Sequence, residues 1–295
     1  MINYKAKYMK HKNLIPLKDL NLTNRFLFDV VAEDPDAHEA MLGIILGRDI
    51  HLSGKHQTEK EFLLSPSVRS IRMDVFSLDE EETAYNTEMQ NRQTPDIPKR
   101  SRYYQSLMDT SLLEAGSVDY NELNNSCIIM IMTFDLFGYG KYMYTFVPQC
   151  IEAPDCRLED GTIRIFLNTK GTNKDEVSQE LIDFLNYVEN TTDEVAEQSD
   201  SERLRRIHNR VCKVRKNEEI GVRYMQAWEE KIYERREARE EGREEGLAEG
   251  RETLLLEQIQ KKLDKGRTVE EIADMLETDV EEVQKLVDKL TAVQE

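Results

Sequence analysis

The sequence predicts an α/β fold: a mixed central sheet flanked by helices, followed by an α-helical C-terminal extension. Three observations carry that expectation. Helical and strand patterns follow in the order helix, strand, strand, helix, strand, strand, strand, which argues for helices packed on a mixed sheet. The run CIIMIMTF (Cys127–Phe134) is almost continuously apolar, as in a strand covered on both faces. After Val188 the strand signals stop and the chain turns charged and helical.

Taken in order, residues 1–18 read as a basic lead-in. Thr23 or Asn24 can cap a helix through Val31, with Phe26, Leu27, Val30 and Val31 on one face. Asp34-Pro35 breaks it. A second helix, about Asp36–Leu46, buries Ala40, Met41, Ile44 and Ile45, and Gly47 ends it. Residues 48–70 form a connector with room for a short strand at Glu61–Leu64. Two alternating runs in Ile71–Arg92 flank an acidic turn, Asp79–Glu82. Thr94–Pro98 is a proline-bounded loop. Lys99–Ala115 reads as a helix with Tyr103, Leu107, Leu112 and Leu113 as its apolar positions. Tyr142–Val147 and Ile163–Leu167 complete the strands. The amphipathic helix Glu176–Val188 closes a first domain, expected to span residues 1–190.

A charged helical linker is expected over 191–253. It opens on a polar, acidic stretch and carries two apolar stripes, Leu204, Ile207, Val211 and Val214, then Tyr224, Trp228 and Ile232. The four-residue units REEG, REEG and LAEG follow at Arg239–Gly250. Glycine at every fourth position weakens a helix by roughly 1 kcal/mol each relative to alanine, and Arg–Glu pairs one turn apart offset part of that. This segment reads as a spacer, with a partner-binding coil as the alternative. Residues 254–295 read as a small helical module with helices at Leu254–Asp264, Val269–Leu276 and Val280–Ala292. Thr268 with Glu271 and Thr278 with Glu281 fit capping boxes. The outline is that of a helix-turn-helix, yet residues 266–295 hold three Lys/Arg against nine Asp/Glu. So acidic a recognition helix should not hold phosphates, which favours a protein-contact or capping module.

Net charge is −18 over 295 residues. Such a surface repels nucleic acid as a whole, so any contact must come from a local basic patch or a bound metal. This argues against a conventional high-affinity DNA-binding protein but not against a metal-dependent phosphodiesterase. The four cysteines (Cys127, Cys150, Cys156, Cys212) have no C-x-x-C spacing, which argues against a zinc site. Cys150 and Cys156 are a weak disulfide pair, and Cys127 reads as core. The histidines are scattered and receive no role. The N-terminus lacks the apolar segment of a signal peptide, and no run reaches the roughly 18 apolar residues of a membrane span. A soluble cytoplasmic protein, with no membrane partner, is expected.

The candidate chemistry lies in Ile71–Arg92. Residues two apart in a strand share a face. Ala84, Asn86, Glu88 and Gln90 therefore line one side, and Tyr85, Thr87 and Met89 the other. A hairpin centred near Glu81 sets Asp74 opposite Glu88, with Cβ atoms roughly 4.5–5.5 Å apart. Two carboxylates so close repel, and each raises the other's pKa unless a cation lies between them. An acid–acid–amide cluster of hard oxygens suits Mg²⁺ or Mn²⁺. By pattern alone such a face is more often just the water side of a hairpin. Just beyond it, Arg92, Lys99, Arg100 and Arg102 outnumber Asp96, and arginine suits bidentate contact with phosphate. Solvation of these arginines, or pairing with the acidic turn, is the competing reading.

An early helix pair, an Asp on one strand and E-x-Q on the next resemble the PD-(D/E)XK nuclease superfamily. More narrowly, EMQNR, PKRSRYYQSLMD, IIMIMTFDLFGYG, YTFVPQC and IFLNTKG, with the REEG repeat behind them, resemble the recombination-promoting nuclease/transposase family over about residues 18–250. The resemblance implies a restriction-endonuclease-like core and a metal-dependent DNA endonuclease linked to recombination or mobile elements. Asp74 and Glu88 match the metal-binding acids, with the Met89 carbonyl as third ligand to Mg²⁺ or Mn²⁺. Gln90 stands where the superfamily most often has lysine. Glutamine can orient a water but brings no charge and accepts no proton. Many members add an acid from the first helices, for which Glu33, Asp34 and Glu39 are candidates. DNA is the implied partner, with Arg92, Arg100 and Arg102 as substrate contacts, and the helical C-terminal region is a candidate homodimer surface. The alternative is a catalytically weak or inactive interaction protein acting through its acidic tail, which the net charge and Gln90 would suit.

Overall fold

The computed structural model describes residues 14–53, 57–62, 71–113 and 119–292. They divide into two units, the first running to Tyr224 and the second starting at Met225.

In the first unit, helix α1 (Arg25–Ala32) starts where the Asn24 side chain accepts the Leu27 N–H. Helix α2 (Pro35–Leu46) is capped by Asp34, whose side chain accepts the Ala37 N–H. Pro35 occupies the first turn, where a missing N–H costs nothing. Asp34-Pro35 thus both ends α1 and begins α2, one residue earlier than the sequence suggests. Gly47 closes α2 at φ 67°, in the left-handed region. Leu17, Leu20 and Leu22 are buried, so the lead-in is anchored in the core from position 17. Its first 13 residues lie outside the described ones.

Strands β1 (Gln57–Phe62), β2 (Ile71–Leu78), β3 (Ala84–Gln90), β4 (Ser126–Met132), β5 (Met143–Phe146) and β6 (Thr162–Asn168) form one sheet in the order β1-β2-β3-β4-β6-β5. Neighbours β1, β2 and β3 run antiparallel, β3–β4 and β4–β6 parallel, and β5 antiparallel to β6. The sheet is mixed, as expected. The short strand expected at Glu61–Leu64 lies further upstream as β1, and positions 63 and 64 fall outside the described residues. All seven residues of β4 are buried, the consequence of its apolar run. Helix α3 (Ile97–Leu112) makes the crossover from β3 to the parallel β4. It starts earlier than expected because Pro98 fits a first turn and Ile97 is fully buried.

Side-chain alternation sorts the sheet into two cores. Val75, Tyr85, Met89, Cys127, Ile129 and Ile131 face a larger core that includes α1, α2, helix α4 (Gln179–Glu189) and helix α6 (Glu202–Lys216). Phe76, Leu78, Ala84, Ile128 and Met130 face α3 through Ile97, Tyr104, Leu107 and Met108. Helix α5 (Asp193–Glu197) lies between α4 and α6 in the chain. Leu204, Ile207, Val211 and Val214 of α6 are fully buried, and α6 packs on α1 and α2. The first unit therefore continues past position 190. The acidic stretch 191–201 is a capped connection inside it, not an exit.

Gly171, just after β6, carries a packing constraint. A Cβ there would lie 2.3 Å from Tyr142 Cγ and 2.6 Å from Tyr142 Cα, and Tyr142 is itself buried. Because one clashing atom is backbone, no rotamer change relieves it. Gly171→Ala is expected to destabilise the first unit by about 1–3 kcal/mol, the usual cost of overpacking. A lowered urea midpoint with unchanged slope would show it; an unchanged midpoint would contradict it.

Helix α7 (Glu218–Leu263) runs unbroken through the glycine repeat, where Gly242, Gly246 and Gly250 have open space around them. The helix expected at 254–264 is the end of α7. In the second unit, Ile259 of α7 packs with Ile272 and Ala273 of helix α8 (Val269–Leu276) and with Val283 and Leu286 of helix α9 (Val280–Ala292). Thr268 and Glu271 form the capping box of α8. The Thr278 hydroxyl instead donates to the Leu276 carbonyl, 3.0 Å away. Cys150 and Cys156 are free thiols. Among the described residues no helix is long and apolar enough to cross a membrane.

Candidate active site

The β2–β3 hairpin has the register expected from a centre at Glu81. Val75 pairs with Thr87, Phe76 with Asn86, Ser77 with Tyr85 and Leu78 with Ala84. What fixes the turn is Asp79, which is buried. Its Oδ1 accepts the N–H groups of Glu81 (3.0 Å) and Thr83 (2.8 Å), and its Oδ2 accepts the Tyr85 hydroxyl (2.8 Å). Arg48, just past the end of α2, donates to the same hydroxyl at 3.2 Å. The turn acids are thus not one solvated run: Asp79 is the internal brace that sets the register.

Beyond the pair Val75–Thr87, backbone groups turn to the site carboxylates. The Asp74 N–H donates to Glu88 Oε1 (3.1 Å), and the Met89 N–H donates to Asp74 Oδ2 (3.2 Å). Asp74 is 1% exposed and Glu88 2%. The face is therefore not the water side of a hairpin, because α3 covers it. Burying two acids side by side needs a compensating charge. Arg25, the first residue of α1, supplies one through an ion pair with Asp74 Oδ1. Desolvation, and next the Asp74 charge, still push the Glu88 carboxyl up to about 8, with Arg25 acting in the opposite direction. On α3, burial and then the Glu88 charge push the Tyr104 phenol up to about 12. A hydrogen bond from Asn91 to the Thr23 carbonyl ties the end of β3 to the start of α1, which brings Arg25 to this place.

Gln90 extends the same face. Arg100 of α3 donates to its Oε1 at 2.5 Å. Since arginine can only donate, this bond orients the amide with its oxygen toward Arg100 and leaves the Gln90 N–H groups free of that contact. Arg92 and Arg102 are exposed, as is Lys99, and lie on the surface rather than at the carboxylates. Of the three arginines singled out in the sequence, the structure brings only Arg100 to the cluster.

The early acids are placed differently from the expectation. Glu33 pairs with Arg223 at 3.2 Å, Asp34 caps α2 and lies 3.7 Å from Arg210, and Glu39 accepts the Leu52 N–H at 2.8 Å. The first-helix acid that shares a partner with the cluster is Asp29, 5% exposed, with its Oδ2 3.7 Å from Arg25 Nε. Its signal was in the sequence: an aspartate inside the otherwise apolar run FLFDVVA. Arg25, four residues before it on the same helix face, was missed with it.

The donor set fits a divalent cation. Asp74 already takes a positive partner, yet burial and the Asp74 charge still raise the Glu88 carboxyl against the pull of that single guanidinium; a doubly charged ion would supply the missing charge. A mixed sheet flanked by helices, with a helical crossover between parallel β3 and β4, is a restriction-endonuclease-like core. The chain belongs to the PD-(D/E)XK nuclease family transposases, whose family model matches residues 56–247. No curated protein and no solved structure matches the chain.

Proposed function

We propose that the protein is a cytoplasmic Mg²⁺- or Mn²⁺-dependent DNA endonuclease that serves recombination or mobile elements. The observation that carries this reading is the buried pair Asp74–Glu88, its carboxylates held by the Met89 and Asp74 N–H groups, with Arg25 on Asp74 and Arg100 on the neighbouring Gln90. The two carboxylates would hold the ion together with the Met89 carbonyl. In an extended strand a residue's N–H and C=O point to the same edge, so that carbonyl shares the edge where the Met89 N–H meets Asp74. When bound, the ion would polarise the scissile phosphoryl group and lower the pKa of the attacking water.

The chain's own residues have distinct parts. Arg25 holds Asp74 ionised; its half-exposed side chain can turn to a phosphate once a metal takes its place. Arg100 brings the positive charge that lysine would bring at position 90. Gln90, its oxygen held by Arg100, acts as an N–H donor to substrate or water. Neither accepts a proton at neutral pH, so the proton of the attacking water leaves through solvent or a phosphate oxygen. Arg92, Lys99 and Arg102 are the exposed charges that would meet the DNA backbone on an otherwise acidic protein.

Purified protein should nick supercoiled plasmid with Mg²⁺ or Mn²⁺ and stop when the ion is chelated. Absence of cutting with either ion would overturn the reading. Arg100→Ala is expected to slow cleavage by about 10²–10³-fold, as for loss of one donor to developing charge. Arg100→Lys should recover part of that rate. Equal rates in wild type and Arg100→Ala would remove Arg100 from the site.

A further inference from the structure

We infer that the first unit carries a second metal site, built from Asp193, His208 and Cys212, for an ion of the zinc class. His208 and Cys212 stand one turn apart on α6, and Asp193 opens α5. His208 Nε2 lies 3.5 Å from the Asp193 carboxylate and 3.5 Å from Cys212 Sγ. The three donor atoms all fall within 4.8 Å of one another. Zinc bonds of about 2.0–2.3 Å to nitrogen, oxygen and sulfur, at tetrahedral angles, place neighbouring donors roughly 3.3–3.6 Å apart. Both distances from Nε2 match an edge of such a tetrahedron.

The imidazole is also aimed. Its Nδ1 lies 2.8 Å from the hydroxyl oxygen of Tyr187, a fully buried residue of α4, and the two rings meet edge to face. With the proton on Nδ1, His208 donates to Tyr187 and turns the Nε2 lone pair toward Asp193 and Cys212. Such outer support is what fixes the tautomer and ring orientation of metal-bound histidines. An ion pair alone does not account for the arrangement. The Asp193 side chain is 76% exposed, and a thiol directed at the same nitrogen adds little to a salt bridge.

Cysteine and histidine select zinc over Mg²⁺, so the site is chemically distinct from the Asp74–Glu88 pair. Three protein ligands leave the fourth corner to water. The ion would tie α5 to α6 and, through Tyr187, to α4, pinning the acidic connection that the sequence suggested was a linker. Sequence spacing argued against zinc because no C-x-x-C is present. The H-x-x-x-C of α6 gives two ligands at helical spacing, and the third comes from another element. The inference does not rest on the nuclease reading.

The test uses full-length protein, metal-stripped and reduced, titrated with Zn²⁺ against a chromophoric chelator and, separately, with Co²⁺. One Zn²⁺ per chain should bind at this site, and the Co²⁺ form should show a thiolate-to-metal charge-transfer band. Cys212→Ser should abolish the band, and Cys212→Ser and His208→Gln should each weaken Zn²⁺ binding by at least about 100-fold; Tyr187→Phe, as an outer-shell change, should weaken it by about 10–100-fold. The double variant Asp74→Ala/Glu88→Gln and the double variant Cys150→Ser/Cys156→Ser should both keep the band. A wild-type protein without the band, a band that survives Cys212→Ser, or one lost in either double variant overturns the proposal. Should His208→Gln fail to fold, the half-buried Cys212→Ser decides alone.

Discussion

Asp74→Ala is expected to abolish metal-dependent DNA cleavage, lowering the rate by on the order of 10³-fold or more, because it would remove a proposed metal ligand and its charge stabilisation together. The fold should survive the change. Breaking a buried ion pair can cost about 3–5 kcal/mol when it strands a charge. Here the partner left behind is Arg25, whose side chain is 51% exposed and can turn to water. Losing Asp74 also relieves the repulsion that helps raise the Glu88 carboxyl. The net cost should therefore be nearer about 1 kcal/mol, as for one ordinary hydrogen-bonded contact. The decisive measurement pairs a plasmid-nicking assay with thermal unfolding of the same sample. Cleavage that persists in folded Asp74→Ala protein would sink the site assignment and leave the acid pair a structural feature.

The same residues show why parts of the molecule were legible in the sequence. Alternation around an acidic turn fixes which residues share a face and which oppose each other, so the hairpin register followed from period two alone. The apolar run at Cys127–Met132 announced a doubly covered strand. What period cannot give is the neighbour from elsewhere in the chain. Nothing in Ile71–Arg92 says that α3 covers the acid face, and that cover turns a polar hairpin into a buried carboxylate pair. Arg25 meets Asp74 because the end of β3 is tied to the start of α1, a contact 49 positions apart in the chain for the ion pair itself. Asp29 and Asp79 are buried acids whose partners lie close in the chain, Arg25 one turn before Asp29 and Glu81, Thr83 and Tyr85 just after Asp79, so their burial rather than their pairing is what the pattern does not give. The unit boundary was misplaced for the opposite reason. Polar residues 191–201 resemble an exit from the fold, yet Thr192 and Ser201 are helix caps, and Arg215 holds the Thr191 and Leu20 carbonyls at 2.7 Å.

Glu88→Gln should separate stability from function at the centre of the site. In the folded, metal-free protein, burial and the Asp74 charge hold the Glu88 proton up to about 8, against an ordinary value of 4.5. Between those values the folded state binds more protons than the unfolded state, so stability falls as pH rises. The contribution is complete below about 4.5 and lost above about 8. Glutamine has the shape of the protonated acid and does not titrate. The variant should match wild type in acid and exceed it in metal-free buffer above pH about 8, by on the order of a few kcal/mol. A divalent ion reverses the ranking, because it must displace the proton and then favours the carboxylate. Mg²⁺ or Mn²⁺ should raise the wild-type unfolding temperature more at high pH than at low, and should leave Glu88→Gln nearly unmoved. Cleavage by the variant should fall by about 10²–10³-fold or more, since a ligand is lost with the charge. Parallel pH–stability curves for the two proteins without metal would show that Glu88 is not held protonated. An equal response to metal would show that Glu88 is not a ligand, whatever the cleavage assay reads.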